Sequence, residues 1–277
     1  MQLVWQIPTL LIIAALVSGL GSLSGVGGGV LFVPILLLLL KSNSVEEIKF
    51  LSTLLVFASA AINVGFNLFK KSISYKVILV GIVFSLPMVF LGNYVVTLFN
   101  ADILKLIIGF LLLVVGGLLV LVEYFFKNRT LKKINENQVI SGFRFIKVND
   151  ESYISSIKLI TIAMTGGFVT SLTGMGGGPI LMPFLLIWCK LSMKQASPIS
   201  HALIAGSSLI ALLTNYQNFE NFELLVPIGL PMIIGVISGT ILALILKKYL
   251  KKEIYIKWVL IILIWLSAIK MIVDFFI

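Results

Sequence analysis

Apolar residues run through this chain in stretches longer than a soluble core helix needs, separated by short polar intervals. The runs cover 3–40, 50–69, 75–99, 103–126, 154–189, 198–216, 222–246 and 254–277. Crossing a bilayer as a helix takes ~20 apolar residues, so the pattern predicts an all-α polytopic membrane protein. Four blocks are followed by four of matching length. The first block of each set is interrupted by glycines, and the polar stretch 127–156 lies between the sets. This order predicts a first transmembrane repeat over 1–126, a linker over 127–156 and a second transmembrane repeat over 157–277.

The interruptions repeat one motif. Ser22-Leu23-Ser24-Gly25-Val26-Gly27-Gly28-Gly29 recurs 149 residues later as Ser171-Leu172-Thr173-Gly174-Met175-Gly176-Gly177-Gly178, and Pro34 matches Pro183 at the same offset. In the next helix the offset is 148, pairing Ser52 with Ser200, Ser59 with Ser207 and Asn67 with Asn215. Steps of seven and eight keep each trio on one helical face. Two helices therefore carry matching polar stripes.

Basic residues choose between two topologies, because Lys and Arg concentrate in cytoplasmic loops. If each broken block is a hairpin, the halves are inverted repeats of five crossings each, and 17 of the 21 basic residues fall inside. Lys41, Lys49, Lys105 and Lys270 are left outside. If each block crosses once, the repeats are parallel and the split is 11 against 10. The hairpin reading is preferred, and 11-residue segments such as Val30 to Leu40 and Pro179 to Cys189 reach only half a bilayer at ~1.5 Å per residue. The expected fold is thus two inverted-topology repeats, each a re-entrant hairpin plus three transmembrane helices. The two glycine turns should meet near the midplane, with both chain ends extracytoplasmic.

Composition agrees. Hydrophobic residues make up 59% and charged residues 12%, with a mean hydropathy of +1.13. The net charge of +10 lies in short clusters beside apolar spans, where it sets topology and anchors lipid headgroups rather than binding nucleic acid. Cys189 is the sole cysteine, so no intramolecular disulfide or thiolate metal site can form, and neither a metal nor another cofactor is expected.

Three successive glycines weaken a lipid-facing helix, and non-helical backbone at membrane depth survives only where protein or a cavity satisfies it. A helix starting after such a run offers unpaired N–H groups and its positive dipole end, which together suit an anion. Pro179 fits a first helical position. Candidate substrate-binding residues are therefore Gly25, Gly27, Gly28, Gly29, Gly174, Gly176, Gly177 and Gly178, with hydroxyls from Ser22, Ser24, Ser171 and Thr173. These donors bind without a charged side chain, so a bound ion can leave again. Close helix packing through Gly21, Gly25 and Gly29, and through Gly174 and Gly178, is the competing reading of the same glycines.

Ser59, Asn67, Ser207 and Asn215 are candidates for lining the pathway, and Asn63, with no polar mate, ranks below them. His201, the sole histidine, is a candidate proton relay. The alternative, preferred because Lys194 and Pro198 lie close by, is a histidine hydrogen-bonded near a helix end. Asp102 and Glu123 read as solvated helix termini, Asp102 within a loop.

The motifs Gly25-Val26-Gly27-Gly28-Gly29 with Pro34, and Gly174-Met175-Gly176-Gly177-Gly178 with Pro183, resemble those of the sulfite exporter TauE/SafE family, also described as the 4-toluene sulfonate uptake permease family. The similarity covers the chain apart from the linker. It implies a multi-pass permease of the cytoplasmic membrane for small sulfur-containing oxyanions or organic anions such as sulfite and sulfonates. A secondary transporter, with export as the family's named activity, is the leading expectation, its partners being the anion and membrane lipid. A passive anion channel is the alternative. An intramembrane enzyme is not expected, since the chain has one His, one Cys and no carboxylate pair within a span.

Overall fold

The computed structural model describes residues 2–40, 44–126, 145–149, 152–216, 225–247 and 254–276. Lys41, most of the linker and the lysines of 248–253 lie outside the described residues. Helix α1 (Gln2–Ser24) is followed by the short α2 (Gly29–Leu39), then α3 (Val45–Phe69), α4 (Tyr75–Thr97) and α5 (Ala101–Phe126). The second half repeats this order with α6 (Ser156–Thr173), α7 (Gly178–Ile187), α8 (Met193–Thr214), α9 (Leu230–Leu246, entered through a π-turn at Leu225–Gly229) and α10 (Ile254–Phe276). Seven described helices are long and apolar enough to span a bilayer. Both glycine motifs fall in breaks, so neither block is a continuous span.

Local signals fix the ends. The Ser44 hydroxyl accepts the Glu47 N–H and starts α3, and Ser192 with Gln195 forms a capping box on α8. Pro179 occupies the first turn of α7. Asp102, expected in a loop, lies instead in the first turn of α5, where an exposed ion pair with Lys105 at 3.0 Å complements the helix dipole.

Within the segment read as a linker, β1 (Phe145–Asn149) pairs antiparallel with β2 (Ser152–Ser155), with Phe145 opposite Ser155. The Ser74 hydroxyl donates to the Lys147 carbonyl at 2.6 Å, holding this hairpin against the start of α4.

Packing crosses between the halves. Helix α1 packs along α9 while its repeat mate α6 packs along α4, and the mated pairs α3 with α8 and α5 with α10 pack on each other. Exchanging each helix for its mate reproduces this set of neighbours. The centre is α8, with 83% of its span buried, beside α3 with 61%; α4, at 28%, carries exposed Leu79, Val83 and Phe90 on the outside. An apolar exterior around a polar-striped centre is what lipid solvation favours.

A candidate substrate site at two glycine turns

Each turn doubles its chain back. In the first, the Gly27 N–H donates to the Gly21 carbonyl at 3.1 Å, and Gly28 returns against Val17 and Ser18. In the second, the Gly174 N–H donates to the Thr170 carbonyl at 2.8 Å, and Gly177 returns against Gly166. Gly25 and Gly174 both have φ +74°, and Gly27 and Gly176 have +79° and +81°. The two turns thus share one backbone shape through these positions. They part at the last step, where Gly177 is left-handed at +67° while Gly28 has φ −69°.

The turns also meet. A Cβ on Gly29 would strike the Met175 carbonyl, and one on Gly178 would strike the Val26 carbonyl. Val56 from α3 lies against Gly29 and Gly176, and its repeat mate Ile204 from α8 lies against Gly27, Gly176 and Gly178. All the motif glycines are buried. Close packing, the competing reading of these glycines, therefore accounts for Gly29 and Gly178 on contact grounds. At the starts of α2 and α7, Leu31, Phe32, Ile180 and Leu181 return to the Gly28 and Gly177 carbonyls. The N–H groups of Gly29, Val30 and Gly178 precede the first intrahelical bond.

The four motif hydroxyls serve two purposes. Ser24 donates to the Gly21 carbonyl and accepts the Val26 N–H, and Thr173 donates to the Val169 carbonyl and accepts the Met175 N–H. These two side chains shape the turns. Ser171 instead joins its hairpin directly to the other half, whereas Ser22 binds α3 of its own half and reaches the other half only through Ser59. Ser22 accepts from Asn63 Nδ2 at 2.9 Å and lies 3.3 Å from the Ser59 hydroxyl, which lies 3.0 Å from that of Thr240 on α9. Ser171 donates to Asn93 Oδ1 on α4; the same oxygen accepts from Asn215 at 3.1 Å, while Asn93 Nδ2 donates to Thr214 at 2.8 Å. Asn93 and Thr240 correspond at an offset of 147, each directly after a glycine. Asn63, ranked low for want of a mate, is the partner that positions Ser22.

Beside the second network lies a cavity of about 150 Å³. It gathers the start of α3 (Glu46, Lys49, Thr53), the end of α4 (Asn93, Thr97), the deep end of α6 (Thr170, Ser171) and the end of α8 (Asn215). The start of α3 therefore lies beside the end of its mate α8. Lys49 is only 8% exposed, and its backbone abuts Gly174. To the neutral donors at the glycines the structure adds a lysine whose backbone packs on the second turn and whose side chain lines the adjoining cavity. Ser52 adds a 2.9 Å hydrogen bond to the Gly174 carbonyl.

The remaining candidates separate. Ser207 faces Thr170 at 3.0 Å, next to the cavity. Asn67 lies near the far end of α3, away from its mate Asn215, because the mated helices run in opposite directions past each other. His201 is 1% exposed in the third turn of α8, not at a solvated helix end. Its Nδ1 is 3.5 Å from the Ser197 hydroxyl; its Nε2, with the hydroxyls of Ser200 and Ser208, has no hydrogen-bond partner among the described residues.

Comparison with known proteins follows the same lines. The family model described as "Sulfite exporter TauE/SafE" matches residues 10–271. The chain is 28% identical over 246 residues to "Probable membrane transporter protein MJ0441" of Methanocaldococcus jannaschii, covering 84% of each chain. It is 27% identical over 208 residues to "Probable membrane transporter protein YunE" of Bacillus subtilis, covering 72% of this chain and 75% of that one. No solved structure matches.

Proposed function

The chain belongs to the sulfite exporter TauE/SafE family, and from that premise we propose that it is a secondary transporter of small sulfur-containing oxyanions or organic anions such as sulfite or sulfonates. Membrane transport is common to the related proteins by name. The observation that carries the finer reading is the mutual seating of the turns: Gly29 against Met175 and Gly178 against Val26 bring the N-termini of α2 and α7 together, while Ser171, just before the second turn, lines the polar cavity. Two helix N-termini converging at the turns create positive potential along the route an anion would take from the cavity inward.

The halves 1–126 and 157–277 act as inverted repeats about the stretch 127–156. Support comes from the exchangeable packing partners and from the opposed directions of α3 and α8. In this topology the cytoplasmic membrane holds the protein with both termini outside, and the cavity opens to that side. Rocking of one half against the other would open the opposite side, with Val56 and Ile204 as the apolar seal at the turns. An anion leaving a negative interior gains about 2.3 kcal/mol per charge per 100 mV, so export needs no coupled ion.

Purified protein in liposomes loaded with unlabelled sulfite should accumulate ³⁵S-sulfite transiently by counterflow. Flux without counterflow would assign a channel, and no sulfite or sulfonate flux would remove the anion reading.

A further inference from the structure

We propose that Lys49 is the charge-selecting residue of a small-oxyanion station in the cavity above Gly174, one step outside the glycine turns; this rests on the transporter reading above. Three observations converge on it. First, the neutral donors lining the cavity are already engaged. Ser171 donates to Asn93, Thr170 to the Gly166 carbonyl, Thr53 to the Lys49 carbonyl and Asn93 to Thr214, while Asn215 Nδ2 serves Asn93 and the Ala211 carbonyl. Among the described residues the Lys49 ammonium, with three N–H groups and no hydrogen bond, is the cavity's charged uncommitted donor. The ion pair found among the described residues is Lys105–Asp102; Glu46, one turn away at the exposed mouth, attracts Lys49 without forming an ion pair with it.

Second, the position is unfavourable without a ligand. A buried cation loses hydration and recovers it only from a counter-charge. Lys49 is also the fifth residue of α3, close to the positive end of that helix, where a cation is disfavoured. A lysine serving as a headgroup anchor would extend its ammonium to the surface, yet Lys49 is 8% exposed and lines the cavity below its mouth at Glu46. An anion entering the cavity adds to the attraction from Glu46 and offsets both penalties at once.

Third, the repeat isolates the charge as a departure. At an offset of 148 the mate of Lys49 is Ser197, and each abuts the first glycine of the opposite turn, Lys49 at Gly174 and Ser197 at Gly25. The packing role is thus fulfilled by a serine in one half. The lysine adds only length and charge. Its occupant is a compact anion with several acceptor oxygens, of sulfate or sulfonate type, able to take the ammonium while meeting the Ser171–Asn93 edge.

The test uses the wild-type chain first. Acetylation of Lys49 by an N-hydroxysuccinimide ester, followed by peptide mass spectrometry, is compared in methanesulfonate or sulfate and in chloride at equal ionic strength, with exposed Lys105 as the reference. We expect either oxyanion to slow labelling of Lys49 at least threefold and leave Lys105 unchanged. In parallel, Lys49→Gln should keep its melting temperature in chloride but raise the half-saturation for counterflow at least tenfold, and Lys49→Arg should restore most of it. Equal labelling of Lys49 in all three salts, with wild-type counterflow intact, overturns the station and leaves the transporter reading standing. Absence of counterflow in the wild type overturns both.

Discussion

The carbonyl oxygen of Met175 occupies the space that a side chain on Gly29 would need. Because one residue belongs to each turn, the contact ties the two halves at their crossing. Gly29→Ala should therefore shift backbone in both hairpins, at about 1–3 kcal/mol for overpacking a tight site. Gly178→Ala should do the same through Val26. Gly65→Ala and Gly117→Ala, where nothing lies within 4 Å of the added methyl, serve as controls. Melting in detergent should fall for the first pair and stay for the second. A wild-type melting temperature in Gly29→Ala would mean the turns do not meet.

Gly28 and Gly177 are repeat mates with different tolerance. A methyl on Gly28 meets the Phe32 ring at 2.8 Å, and that ring can turn aside; a methyl on Gly177 meets the Gly166 carbonyl at 2.5 Å. Gly177 also has φ +67°, where an L residue is disfavoured by ~1–2 kcal/mol. Gly28→Ala should retain part of the transport and recover more with Phe32→Leu, whereas Gly177→Ala should lose it without rescue by any neighbouring side chain. Equal losses in the two variants would contradict the asymmetry.

Asn93 accepts from Ser171 and Asn215 through one oxygen. Asn93→Asp keeps that acceptor and the side-chain volume, gives up the donor to Thr214 and sets a negative charge in the cavity with Lys49. If the cargo is an anion, flux should drop at least tenfold with little change in melting. Asn93→Leu removes the acceptor as well, and should lower stability by about 1–3 kcal/mol because buried donors are left unpaired. Undiminished flux in Asn93→Asp would point to a cation or neutral cargo.

The hairpins are legible in the sequence because a glycine run inside an apolar block has few other uses, and its recurrence locates both breaks to within a residue or so. Lys49 is not legible. A lysine near the start of a membrane helix reads as an interface anchor, and only the approach of α3 to α6 sets it over Gly174. Asn63 is hidden for a related reason. Repeat logic looks for a polar mate, and its partner, Ser22, is supplied by packing between α1 and α3 rather than by the duplication. The β-hairpin at 145–155 is short and charged, so hydropathy passes it over. Asn93 and Thr240 do carry a sequence signal, the Gly-Asn and Gly-Thr pairs at an offset of 147, although the two differ in residue type.

Cys189 follows α7 and is the chain's sole thiol. Burial pushes it up to about 11, the nearby Lys158 opposing the shift. The reactive thiolate is thus scarce at neutral pH, and alkylation should speed up about tenfold per pH unit until the medium nears that value. In the proposed topology this loop is cytoplasmic. A membrane-permeant maleimide should label intact cells slowly at pH 8, and a charged one only after lysis. Labelling of intact cells by the charged reagent would reverse the orientation.

His201 is buried with Nδ1 at the limit of hydrogen-bond distance from Ser197 and Nε2 without a partner among the described residues. A relay histidine needs a donor or acceptor on each nitrogen during turnover, whereas a packing histidine needs only its volume. Export driven by membrane potential requires no proton, so the expected role is packing beside the first turn, where Ser197 meets Gly25. His201→Gln, which keeps a polar side chain of similar reach, should therefore preserve both the rate of sulfite counterflow and its variation between pH 5.5 and 8, beyond what sulfite's own titration imposes. His201→Leu should lower melting slightly and leave flux within about twofold, a change of under ~0.5 kcal/mol in the barrier. A flux that loses its pH dependence in His201→Gln while remaining pH-dependent in the wild type would assign the proton relay to this residue instead, and would make coupled uptake the working direction.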